Sequence, residues 1–274
     1  MSDPSDLPGS TRVTANRFPA GTFTPSPHPS RPLPMLAAQT RLELVLLLRN
    51  GEQLLLTMLI PISLLIGFAV LPIGDLGESR TNAIVPGILA LAIMSTAFTG
   101  QAIAVGFDRR YGALKRLGAT ALPKWAIIGG KSCAVVLVVC LQMALLVAIG
   151  VALGWRPSLT GLALAVPAVA LGTVAFAAMG LFIGGWLRAE IVLALANILW
   201  FALAGIGSLV IAARLYGEEF PGLAHAFARI TPSGALVESL AMAFDGAADL
   251  TGYAVLAAWA AACAFGAFRT FRWV

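Results

Sequence analysis

Six long stretches of this chain contain no Asp, Glu, Lys or Arg: residues 53–71, 82–107, 132–154, 161–187, 191–213 and 251–268. A helix rises 1.5 Å per residue, so about 20 apolar residues cross a hydrocarbon core about 30 Å thick. Each stretch meets or closely approaches that length. The composition agrees, because 11% of the 274 residues are charged, against about 25% in soluble domains. Strands of a membrane barrel alternate apolar and polar residues in segments of about ten, and no such alternation is present. Backbone groups in lipid must then be satisfied within helices. The fold class expected is an all-α membrane protein with six transmembrane helices.

Basic residues orient the spans. With the N-terminus inside, the outer segments keep only Arg80, Arg156, Arg214 and Arg229 of the 18 Lys and Arg residues. The positive-inside rule therefore places both termini in the cytoplasm and residues 72–81 and 214–250 outside. The formal charge of +5 reports topology, and nucleic acid is not an expected partner.

Residues 1–34 are rich in Pro, Ser and Thr and lack an apolar signal core, which predicts a disordered cytoplasmic tail ahead of a domain over 35–274. Residues 35–50 mix Leu36, Leu42, Val45, Leu46 and Leu48 with Arg41, Glu43 and Arg49. The segment is too short and polar to span, and predicts an amphipathic helix in the membrane interface. Pro61, Pro86 and Pro167 predict kinks or breaks in spans one, two and four. The Gly180 and Gly184 pair in span four matches the small-xxx-small packing pattern, with its neighbour undetermined. Before the last span, the run 235–244 is too short to cross and predicts an interfacial or re-entrant helix.

Ionisable residues at membrane depth are functional by default, and the six stretches contain none. That argues against proton-coupled pumps and intramembrane hydrolases. The neutral polar residues Thr96, Thr99, Gln101, Gln142, Thr173, Asn197 and Ser208 bond between helices or line a substrate path. Cys133, Cys140 and Cys263 lie in apolar spans without metal-ligand spacing, so buried filler is expected and no metal site is. Gly129-Gly130-Lys131-Ser132 imitates the end of a phosphate-binding loop, but Trp125 stands where its first glycine belongs and the segment leads into a span. The chain is not expected to hydrolyse ATP.

The connection 108–123 is more organised than a basic topological anchor requires. Gly112, alternating basic and apolar residues, and Thr120 to Pro123 predict a short exposed helix framed by turns. Here the chain resembles the ABC-2 type permeases, including the daunorubicin-resistance type of drug exporter. Asp108, Gly112, Leu114, Lys115, Arg116, Leu117, Thr120 and Leu122 match that family's loop, and Ala121 departs from its usual proline, which is displaced to Pro123. The resemblance covers about residues 35–274.

It implies two six-span subunits, as two copies or two homologous permeases, driven by two separate ATP-binding-cassette subunits that carry ATP and Mg; no cofactor is implied in this chain. Asp108, Arg110, Gly112, Leu114, Lys115, Arg116, Leu117, Thr120 and Pro123 would form the coupling segment, with Leu114 and Leu117 as its apolar contact. A lipophilic drug or membrane lipid in a bacterial inner membrane is the substrate that suits a charge-free membrane domain. A carrier or channel acting without ATP is the alternative function.

Overall fold

The computed structural model describes residues 22, 24, 31–70, 80–120, 122–216 and 221–270, and among them twelve helical elements, the longest of which follow the charge-free stretches. They are α1 (Pro32–Arg49), α2 (Gly51–Val70), α3 (Arg80–Ile93), a π-helical stretch π1 (Met94–Gly100), α4 (Gln101–Arg110), α5 (Ala113–Gly118), α6 (Lys124–Ala152), α7 (Leu159–Trp186), α8 (Ala189–Tyr216), α9 (Gly222–Ile230), α10 (Pro232–Phe244) and α11 (Leu250–Thr270). All belong to one unit, Pro32–Val274. Most of the expected N-terminal tail, the loop 71–79, Ala121 and residues 271–274 lie outside the described residues.

Five of these helical segments are long and apolar enough to cross a membrane: Thr81–Arg110, Lys124–Ala152, Leu159–Trp186, Ala189–Leu215 and Leu250–Thr270. The first expected span falls on α2, where the apolar stretch Thr57–Val70 is shorter. α7 forms the centre, packed against π1, α4, α10 and α11, while α8 and α11 leave most of their surface uncovered. The Gly180 and Gly184 pair finds its neighbour inside the chain. A Cβ on Gly180 would lie 2.8 Å from the Phe98 carbonyl oxygen and 3.1 Å from Gln101 Cβ, so α7 lies backbone-close to π1 and α4.

Helix ends follow local chemistry. Ser158 Oγ accepts the Gly161 amide at 2.9 Å to start α7, and Thr231, with Pro232 behind it, caps α10. Gly154 at φ +97° ends α6 and folds Trp155 back under Gly150, where its ring meets Phe244 edge-on at 4.8 Å.

Three expectations are corrected. The helix breaks foreseen as one alternative at Pro61, Pro86 and Pro167 are not seen, since each proline lies within a continuous helix, and the change of hydrogen-bond pattern comes instead at π1. The single short helix foreseen before the last span is a pair: α10 is buried among α3, α7, α8 and α11, with α9 packed against it. Asp249 fastens that pair to the start of α11, accepting from Arg229 at 2.7 Å, Ser239 at 3.1 Å and the Gly252 amide at 3.0 Å. Finally, Cys140 is exposed, because it sits on an uncovered face of α6; of the three, Cys263 alone is buried.

Candidate functional site

The basic connection begins where α4 runs out at Arg110. Gly112 takes φ +70°, a left-handed conformation that costs glycine nothing and other residues strain, and so reverses the chain into α5. α5 has six residues, too few to hold a helix in water unaided. It is stabilised by docking through positions three apart, which share a face. Leu114 is 1% exposed, in a cluster with Val105, Ile127, Leu181 and Ala267, and Leu117 and Leu122 pack on the same cluster.

The expected apolar contact surface is therefore corrected: Leu114 faces inward and Leu117 is half-buried. What the segment exposes is Arg110, Tyr111, Lys115, Arg116 and Gly118 to Thr120, followed by Lys124 and Trp125 at the first turn of α6. Thr120 Oγ1 donates to the Leu117 carbonyl at 2.6 Å and accepts the Leu122 amide at 3.3 Å. Pro123, extended at φ −71° and ψ 150°, then starts α6. Arg116 Nη2 donates to the Tyr111 carbonyl at 3.1 Å, and Arg110 pairs with Glu190 at 2.6 Å.

Asp108 is not part of that exposed surface. Its Oδ2 lies 2.6 Å from Lys131 Nζ, and the same ammonium lies 2.8 Å from Glu43 Oε2. Gln39 Nε2 donates to the other oxygen of Glu43 at 2.8 Å. Lys131 is buried within α6 yet stays outside the charge-free span 132–154. The reason is length: 29 residues make a helix of about 43 Å, well beyond a core of about 30 Å. Lys131 sits in the excess, roughly 10 Å from the helix start. The carboxylates that neutralise it come from α1 and α4. Arg109, beside them, donates to the carbonyls of Gly184 and Leu187, the open C-terminal end of α7.

The neutral polar residues separate into two groups. Thr96 Oγ1 donates to Gln142 Oε1 at 2.7 Å, and Gln142 Nε2 donates to the Thr57 carbonyl at 2.8 Å, linking π1, α6 and α2. Thr173 and Ser208 bond within their own helices, and Thr96 and Gln101 line only a pocket of about 40 Å³. Replacing Gln142 with Leu is expected to lower thermal stability by about 1 kcal/mol, read as a shift in melting by fluorescence-detected gel filtration.

Thr99 and Asn197, by contrast, line a groove of about 470 Å³ between α2, π1, α4 and α8, with Thr57, Ile60, Ser95, Trp200 and Phe201 among its walls. Trp200 Nε1 donates to Ser95 Oγ at 3.0 Å across it, while Asn197 also donates to the Leu193 carbonyl. Thr99 Oγ1 is buried without a hydrogen-bond partner. Sequence reading missed Trp200 and Ser95 as groove residues and Lys131 as a buried ion. The one legible signal for Lys131 was its place directly before an apolar span.

A family model described as ABC-2 type transporter matches residues 36–216. No curated protein and no solved structure matches the chain. The matched range begins in α1 and ends with α8, so it takes in the loop helix, the buried ions and every wall of the groove. More than half of the chain is thereby accounted for, and it belongs to the ABC-2 type transporter family, as the membrane-spanning permease component of an ABC transporter.

Proposed function

We propose that this chain is one permease half of an ATP-driven exporter that moves a neutral, lipophilic, drug-like or lipid molecule out of a bacterial cytoplasm or inner leaflet. The observation that carries the substrate class is the groove, whose walls contain no charged residue among the described residues. A charged substrate entering it would lose hydration without gaining a counter-ion. A neutral one gains apolar burial and a few polar groups to orient it, in a volume within the ordinary 300–1,000 Å³ range of small-molecule sites.

In this reading α2 completes the count of six spans, and both termini lie in the cytoplasm with α5. A second copy, or a homologous permease, closes the groove. Separate ATP-binding-cassette subunits, holding ATP and Mg, dock on Tyr111, Lys115, Arg116 and neighbouring residues. Leucines 33, 42, 46 and 48 of α1 turn outward, as a helix lying against lipid requires.

The test is reconstitution into proteoliposomes with the ATPase subunits and a panel of lipophilic drugs and lipids. Uptake of a neutral lipophilic compound that requires ATP and both subunits is the expected result. Equal transport without the ATPase would make the chain a carrier. For topology, a lone cysteine placed at Ala119, after the native cysteines are removed, is expected to resist an impermeant thiol reagent applied to intact cells. Strong labelling from outside would invert the orientation.

A further inference from the structure

We infer that Lys131 is a positioning residue that ties α1 and the segment carrying α5 into one moving body, so that displacement of the loop is passed to the interfacial helix. The inference rests on the ATP-driven reading above.

The argument starts from an inversion in α1. Its buried side chains are Gln39 and Glu43, whereas Leu42, Val45, Leu46 and Leu48 are exposed. An amphipathic helix that turns its polar side toward the protein needs a polar seat. α6 supplies it. A Cβ on Gly129 would come within 3.1 Å of Leu36, and one on Gly130 would collide with Gln39, so α1 lies directly on this pair of glycines. Lys131 follows at once and holds Glu43 at 2.8 Å. The Gly-Gly-Lys run that imitates a phosphate loop is thus the docking seat of α1.

The same ammonium holds Asp108 at 2.6 Å, three residues before Tyr111 and four before Gly112, where the chain turns into α5. Glu43 and Lys131 are both more than nine-tenths buried as side chains. Breaking the bond to Glu43 would leave a buried carboxylate poorly compensated, which makes that side of the link stiff, while Asp108, with a third of its side chain exposed, holds the other side at 2.6 Å. A stiff link between an element open to a partner and an element open to lipid transmits movement, whereas an exposed ion pair would exchange with solvent.

Removing Lys131 alone would strand two acids and threaten folding, so the decisive variant is the neutral triple Glu43→Gln/Asp108→Asn/Lys131→Met, which leaves no unpaired charge. Spin labels at Ala38 and Ala119, both exposed, report the distance between α1 and the end of α5 in the reconstituted complex. The triple variant is expected to keep its melting temperature and its ATPase subunits. Its label distances should broaden, and transport per ATP hydrolysed should fall at least tenfold. Lys131→Arg, with Glu43 and Asp108 kept to pair with the guanidinium, is expected to retain the narrow distance and the coupling. A triple variant with a narrow distance and full coupling would reduce the cluster to packing, as would broadened distances with unchanged coupling. Should the wild-type complex show no ATP-driven transport, the export reading fails, and the label distances still decide whether α1 and α5 move together.

Discussion

Leu114→Ser is expected to unseat α5 from the body of the protein while leaving membrane insertion intact. Leu114 is 1% exposed and belongs to a buried cluster with residues of α4, α6, α7 and α11. Truncating a buried leucine costs about 2–5 kcal/mol, and a buried hydroxyl without a partner adds to that. A six-residue helix has no other reserve of stability. Trypsin should then cleave after Lys115 and Arg116 at least tenfold faster in the purified chain without any partner. By comparison, Lys115→Glu/Arg116→Glu alters exposed side chains and is expected to change stability by less than about 0.5 kcal/mol. It should still abolish co-purification of the ATPase subunits. If Leu114→Ser kept wild-type protease resistance and lost only the ATPase, the leucine would be a partner contact and its burial in the isolated chain irrelevant.

Gly180→Leu is expected to remove most of the folded protein. Around the missing Cβ stand the Phe98 carbonyl oxygen at 2.8 Å, Gln101 Cβ at 3.1 Å and the Ala102 amide nitrogen at 3.2 Å. Two of these are backbone atoms in continuous helical structure and cannot rotate away. Overpacking a core with movable side chains costs about 1–3 kcal/mol, and a leucine facing backbone should exceed that range. The monodisperse peak in gel filtration should fall at least tenfold. Gly205→Leu in α8 is the control, because nothing lies within 4 Å of its Cβ position and leucine favours a helix over glycine by up to about 1 kcal/mol. A normal yield of Gly180→Leu would mean that α7 and α4 are not backbone-close in the membrane.

Much of the helical architecture was open to sequence reading, because a charge-free run of 20 residues has few fates in lipid. The short helix after Gly112 was legible for the same local reason, since a left-handed glycine and a closing proline bracket it. Which face of α5 points outward was not. Leu114 and Leu117 bracket Lys115 and Arg116, and the pattern reads equally as an apolar face for a partner or an apolar face for the core. The choice depends on Val105, Ile127, Leu181 and Ala267, which come from four other helices.

The candidate path divided in the same way. Thr96 and Gln142 were visible as polar residues, but their bond spans 46 positions, and nothing local separates a side chain that closes such a bond from one that faces a groove. Thr99 and Asn197 are of the same chemical kind and face the groove.

By itself the amino-acid sequence determined the class of protein, the extent of its apolar helices, the basic loop and the membership suggested by its motif. Each of these is a property of neighbouring residues and of their transfer from water to lipid. Only the tertiary structure decided that α1 turns its polar side inward and that Lys131 joins Glu43, 88 positions away, to Asp108, 23 away. A charge at the edge of a span is tolerable to the chain alone, since its side chain reaches water. It becomes a structural tie only when folding removes that water and brings two carboxylates to it.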